Sequence, residues 1–215
     1  MSLYDYVATN WGRITVLVAE HIQVVVVAIA LASVISVVLA ITTEKRPSLR
    51  KGLLSFTGTL LTIPSFALFA LMIPLFGLGF FPTVVALTIY AVFPIVRNMV
   101  TGLEGVDEGV LDAAKGLGMS GPARLWRVKI PLAWPIIING MRVATIMLVA
   151  TAAIGAAVNG PGLGQLIFRG LARIGGANAL NEALAGVLGI VVVAAVLDFL
   201  FVLLGRLTRL RGLHV

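Results

Sequence analysis

The chain alternates long apolar runs with short polar ones. Five runs approach the roughly 20 mostly apolar residues that a helix needs to cross a bilayer: residues 22–43, 53–76, 80–99, 133–158 and 183–204. The second and third are separated only by Gly77-Leu-Gly79, which suits a hairpin and cannot hold a domain. Pro64, Pro74 and Pro94 fall inside these runs, where the backbone groups they free must find partners or line a cavity. Alternation of the strand type is weak throughout. The pattern predicts an all-α integral membrane protein with five transmembrane helices. Residues 1–21 carry Tyr4, Tyr6 and Trp11, which suit the headgroup region, and are expected to form an amphipathic segment on the membrane surface.

Composition agrees with a lipid environment. Hydrophobic residues make up 60% of the chain and charged residues only 12%, against about 25% charged in soluble domains. The net charge of +7 brings no aromatic-interleaved basic patch, so nucleic acid is not expected as a partner. No cysteine is present, which removes disulfides and thiolate chemistry. His21 and His214 lie too far apart in the chain to suggest a metal site. The N-terminal segment lacks the features of a cleaved signal peptide.

Orientation follows from the placement of the basic residues. Lys45, Arg46, Arg50 and Lys51 follow the first run, Lys115, Arg124, Arg127 and Lys129 follow the third, and Arg206, Arg209 and Arg211 follow the fifth. The other side holds Arg13, Arg169 and Arg173. The positive-inside rule then puts the N-terminus outside and the C-terminus in the cytoplasm. The expected organisation is the amphipathic segment 1–21, a transmembrane domain 22–210 and a short cytoplasmic tail 211–215. Within the domain, loop 101–132 is cytoplasmic and loop 159–182 extracytoplasmic.

The cytoplasmic loop reads as two short helices. Asp107 can cap the first, and Val110, Leu111, Ala114 and Leu117 form its apolar stripe. Gly116 and Gly118 stop it. Ser120 can cap the second, with Pro122 in its first turn and Leu125, Trp126 and Val128 as apolar anchors. Helices this short need a packing surface, supplied by the chain's own helix ends or by a soluble partner.

The series Asp112-Ala113-Ala114, Gly118, Val128, Ile130-Pro131 resembles the EAA loop of importer-type ABC permeases, Glu-Ala-Ala-x3-Gly-x9-Ile-x-Leu-Pro. Each gap is kept, and the replacements are mild. Thr62-Ile-Pro-Ser65, Ile73-Pro-Leu-Phe-Gly-Leu-Gly79, Pro94-Ile-Val-Arg-Asn98, Gly105-Val-Asp107 and Gly160-Pro-Gly-Leu-Gly164 narrow the resemblance. They are similar to permeases for glycine betaine, carnitine and choline, the osmoprotectant class. The resemblance implies a MetI-like permease fold in a bacterial or archaeal cytoplasmic membrane. It also implies two ATP-binding subunits, a second permease, identical or related, and an extracytoplasmic solute-binding protein. Asp112, Ala113, Ala114, Gly118, Val128, Ile130 and Pro131 would then couple the permease to the ATPase. No phosphate-binding loop is present, so ATP and magnesium are expected on the ATPase, and this chain is expected to be non-catalytic and free of cofactors. Gly160-Pro-Gly-Leu-Gly164 is expected as a turn outside the membrane that touches the binding protein, itself expected as a separate chain.

The remaining polar residues within the spans are weighed one by one. Asp198 is expected to pair with a basic residue, Arg97 or Arg142, rather than to relay protons. Thr62, Ser65, Tyr90, Asn98, Thr151 and Asn159 are the candidates for lining a solute path, each with helix packing as the competing role. Ala152-x3-Ala156 and Gly155-x3-Asn159 offer the fourth span a close contact, for which a second permease is one candidate. Other solutes remain open, including methionine, another amino acid or an oxyanion. From a different class, a secondary transporter or membrane scaffold subunit is the alternative, although no inverted repeat is evident.

Overall fold

A computed structural model describes residues 2–208 of the protein. Arg209 and the tail 211–215, with Arg211 and His214, lie outside the described residues. Among the described residues the fold is entirely helical, as the hydrophobic pattern predicts.

Helix α1 (Leu3–Thr9) is capped by Ser2, whose hydroxyl accepts the Asp5 N–H while the Asp5 carboxylate accepts the Ser2 N–H. Helix α2 (Trp11–Thr43) then runs unbroken for 33 residues, about 50 Å at 1.5 Å per residue. The amphipathic segment 1–21 is therefore no single surface element. Its second half continues into α2 because Ile14, Leu17 and His21, at helical spacing, are buried against the bundle. Tyr4 and Trp11 are exposed as expected, but Tyr6 is buried and unavailable to headgroups.

The second apolar run is broken. Helices α3 (Pro47–Leu61) and α4 (Ser65–Phe76) meet at 95°. Pro64 lacks the N–H that would continue the ladder and forces its predecessor out of helical geometry. The carbonyl of Ile63 instead accepts the Tyr90 hydroxyl at 2.6 Å. After the Gly77–Gly79 turn, with positive φ at both glycines, α5 (Phe80–Glu104) forms the centre of the bundle. Four helical stretches are long and apolar enough to cross a membrane, and the bent α3–α4 pair makes five only if it counts as one span.

Helices α6 (Glu108–Gly116) and α7 (Gly121–Arg124) follow, then a π-helical turn at Leu125–Lys129 that leads into α8 (Ile130–Ala152). A 3-10 turn (Ala153–Val158), α9 (Gly164–Ala172) and α10 (Ala179–Leu207) complete the chain. Helix α5 packs on α2 and α8. The α5–α8 approach is close: a Cβ on Gly140 would lie 2.5 Å from the Asn98 Cβ, and one on Gly102 3.1 Å from that of Ala133. Within its most apolar stretch α5 is 67% buried and α10 only 6%, so α5 is core and α10 a peripheral helix open to lipid or another chain.

Small residues mark the close contacts of the fourth span. Gly155 packs within the chain, since a Cβ there would lie 2.8 Å from Thr83 Cγ2 on α5. Gly160-Pro-Gly-Leu-Gly164 is a turn packed into the chain rather than standing clear of it. Gly160, Gly162, Leu163 and Gly164 are buried, and a Cβ on Gly162, at φ +111°, would lie 2.8–2.9 Å from His21. A Cβ on Gly164 would collide with the Ala153 carbonyl. Glu20 accepts the Gly162 N–H at 3.1 Å, and His21 Nε2 donates to the Val149 carbonyl at 3.0 Å. The glycines are there for close approach, a need that spacing alone does not display.

Candidate functional site

The EAA-type segment builds a rigid, capped helix. Asp107 Oδ1 accepts the Val110 N–H at 3.1 Å and so caps α6 at its start. At its end, the Gly118 N–H donates to the Lys115 carbonyl (2.9 Å) and the Met119 N–H to the Ala114 carbonyl (3.1 Å). This pair of bonds is a Schellman stop, and it places Gly118 in the left-handed region at φ +78°. The glycine six residues after the motif's acid is therefore explained by the geometry of the stop. Ser120 accepts the Ala123 N–H at 3.4 Å and begins α7.

Ion pairs fasten the surroundings of α6. Lys129 Nζ lies 2.5 Å from Glu44 Oε1, joining the π-helical turn to the end of α2. Arg50 of α3 pairs with Glu104 at the end of α5. A small cavity of about 140 Å³ between these elements is lined by Glu44, Lys45, Leu111, Arg124, Leu125 and Lys129. Sequence reasoning counted Lys129 and Arg50 as orientation signals and passed over Glu44 and Glu104. Carboxylates set among basic residues were the available signal.

The outer face of α6 is left open. Of the predicted stripe, Ala114 is buried and Leu111 half-buried. Val110 is 44% and Leu117 85% exposed. Asp112, Ala113 and Gly118 are also exposed, and Asp112 forms no ion pair among the described residues. Leu125 is buried while Trp126 is exposed. Val128, Ile130 and Pro131 are half-buried where the π-helical turn meets α8. The seven motif positions thus divide into an exposed group on α6, with Ala114 as its inward anchor, and a hinge-like group at the start of α8.

The path candidates do not form one constellation. Thr62, Ser65 and Tyr90 gather at the α3–α4 break, where the Tyr90 hydroxyl is committed to Ile63. Thr62 Oγ1 donates to the Thr59 carbonyl at 2.7 Å. Asn98 lies further along α5, where its side-chain amide donates back to the Pro94 carbonyl at 2.8 Å. Thr151 bonds back to Met147 at 2.9 Å. Asn159 is exposed in a left-handed conformation, φ 57°. It lines a depression of about 410 Å³ with Ala156, Gln165, Phe168, Arg169 and Ala172.

Asp198 pairs with Arg142, one of its two expected partners, through bonds of 2.5 and 2.8 Å between α10 and α8. Arg97 stacks on Phe93 instead, 5.8 Å from the ring centroid. At the end of the bundle away from α6, Arg13 Nη2 reaches the buried Glu182 carboxylate at 3.2 Å. Burial, and then the Glu182 charge, raise the pKa of the neighbouring Tyr6 phenol.

The family model described as "Binding-protein-dependent transport system inner membrane component" matches residues 32–210. A glycine betaine/carnitine/choline transport system permease protein of Bacillus subtilis (strain 168) is 33% identical over 99% of this chain and 96% of its own length. An osmoprotectant import permease protein of Salmonella typhimurium is 38% identical over 93% of this chain and 94% of its own. Among solved structures, an inward-facing methionine ABC transporter matches with a TM-score of 0.79 over 91% of this chain and 95% of that one, at 23% identity. That likeness supports the MetI-like fold. The chain therefore belongs to the family of binding-protein-dependent transport system inner membrane components, as a non-catalytic, multi-pass permease subunit of an ABC transporter whose ATP hydrolysis takes place in a separate ATPase.

Proposed function

We propose that this chain imports quaternary-ammonium compatible solutes, such as glycine betaine, choline or carnitine, across a bacterial or archaeal cytoplasmic membrane. The solutes named for the Bacillus and Salmonella relatives support this class. In the proposed assembly, two ATPase subunits bind ATP and magnesium, a second permease completes the path, and an extracytoplasmic binding protein delivers the solute. The α6 end faces the cytoplasm, because the basic residues around it outnumber those at the opposite end.

One observation carries the coupling role: the open apolar edge of α6, formed by Val110, Ala113 and Leu117 beside the unpaired Asp112. A helix this short is not stable alone in water. Here it is capped at both ends and framed by two ion pairs, yet its apolar edge has no cover among the described residues. An ATPase groove that takes this edge, with a basic side chain for Asp112, would cover it. Closure of the ATPase dimer then pulls on α6, and Val128, Ile130 and Pro131 pass the motion into α8. The result is a shift between two states of the permease. Thr62, Ser65, Thr151 and Asn159 keep their role as path candidates, while Tyr90 and Asn98 shape the walls through their backbone bonds.

The test is uptake of radiolabelled glycine betaine into proteoliposomes that contain the permease, its ATPase and its binding protein. ATP-dependent uptake competed by carnitine is expected. Uptake of methionine in its place would overturn the solute class.

A further inference from the structure

The depression beside α9 has a chemistry that the coupling role does not use. Its lining holds one charged side chain, Arg169, one aromatic ring, Phe168, and two amides, Asn159 and Gln165, between the small walls of Ala156 and Ala172. Arg169 is held in place. Its Nη2 donates to Gln165 Oε1 at 3.2 Å, and Gln165 Nε2 donates in turn to the Gly160 carbonyl at 3.3 Å. Gly160 is itself wedged against Thr83 and Gly155, where an added Cβ would lie 2.6 Å from the Thr83 hydroxyl and the Gly155 carbonyl. Gln165 thus links the exposed guanidinium to the buried Gly160 turn.

Arg169 also has no carboxylate partner among the described residues. Its neighbour across this end of the bundle, Arg13, has taken Glu182. A guanidinium presents several donors in a planar fork that matches a carboxylate. One Arg donor is directed to Gln165, which leaves others for a ligand. A quaternary ammonium group is attracted to aromatic surface, and Phe168 supplies it in the same depression. The volume, about 410 Å³, lies in the range of small-molecule sites, roughly 300–1,000 Å³.

From this we infer that the depression receives the zwitterionic members of the solute class, with Arg169 on the carboxylate and Phe168 beside the trimethylammonium group. The inference rests on the import of quaternary-ammonium solutes proposed above and sharpens it. Glycine betaine and carnitine carry both groups. Choline carries a hydroxyl in place of the carboxylate and meets Arg169 as a like charge, with no acidic side chain in the lining to offset it. The pocket therefore discriminates between solutes that share the same cationic head.

The test uses the permease–ATPase complex in nanodiscs without binding protein, and ligand-observed saturation-transfer NMR with glycine betaine or choline as the probe. The N-methyl signal of glycine betaine is expected to take up saturation from the wild type and choline to take up little. Arg169→Gln should lower the betaine signal about tenfold, the scale of one lost charge-assisted hydrogen bond, and Arg169→Lys should keep part of it. Equal transfer to betaine and choline, an unchanged signal in Arg169→Gln, or no betaine transfer from the wild type would each overturn the inference. A failure of the solute class is distinguishable, because the intact transporter would then take up neither betaine, carnitine nor choline.

Discussion

Lys129 Nζ sits 2.5 Å from Glu44 Oε1, so the turn that follows α6 and α7 is pinned to the end of α2. Both side chains are largely withdrawn from solvent, at 22% and 16% exposure. Replacing Lys129 with Met leaves Glu44 without a partner and should cost about 1–3 kcal/mol, the range for orphaning a partly buried charged group. The expected readout is a lower unfolding temperature in detergent, restored in part when Glu44→Gln is added. A Lys129→Met protein as stable as wild type would show that the pair contributes nothing.

The α3–α4 break is held by the Tyr90 hydroxyl on the Ile63 carbonyl, at 2.6 Å. Tyr90→Phe removes this bond and should destabilise the break by about 0.5–1.5 kcal/mol. Hydrogen exchange of the amides at the start of α4 should speed up, while those of α5 stay protected. Unchanged exchange at α4 would mean that Pro64 alone sets the bend.

Arg142 and Asp198 test the structural reading of the charges within the spans. Their bidentate bond joins α8 to α10. Losing one partner leaves a charge unmatched, whereas replacing both with apolar residues of similar size removes the problem. Asp198→Leu alone should lower stability more than Arg142→Met with Asp198→Leu together. A transporter with both changes that has lost proton-dependent uptake but kept its stability would support a relay instead.

How much of this was legible in the sequence differs by feature. The apolar runs located every long helix, because about 20 apolar residues leave few alternatives in lipid. The cap at Asp107 and the stop at Gly118 were also readable, since each depends on residue type and local spacing. For Asp198 the sequence offered Arg97 or Arg142, and only the fold selects Arg142, 56 residues back along the chain. The 95° break was not. Pro64 announced a disturbance, but the hydroxyl that meets the break comes from Tyr90, 27 residues away and bonded only in the fold. The extension of α2 to Trp11 was hidden by Glu20 and His21, whose Oε2 and Nε2 find partners on Gly162 and Val149. For the same reason the packing of Gly160-Pro-Gly-Leu-Gly164 against His21 was not visible in the sequence. Arg169 was counted only as a charge on the outer side, and its setting between Gln165 and Phe168 appears only once α9 forms.

Gly118 adopts φ +78° with open space where a side chain would point, so its requirement is conformational rather than steric within this chain. Side chains in that region cost about 1–2 kcal/mol, and Asn tolerates it better than most. Gly118→Asn should therefore keep more ATP-driven uptake than Gly118→Val, with membrane insertion equal in both. Equal loss from both would point to a partner surface pressed against the glycine itself.

The central claim is that the open edge of α6 is covered by the ATPase. The chain has no cysteine, so Leu117→Cys introduces a single thiol at an exposed position on that edge. Crosslinking from this thiol in the assembled transporter is the most direct measurement. The account predicts a product containing permease and ATPase, with a yield that changes when ATP is added. It also predicts no such product from Val16→Cys, an exposed position on α2 at the other end of the bundle. ATPase crosslinks from Val16→Cys, or none from Leu117→Cys in a transporter that still imports solute, would contradict it.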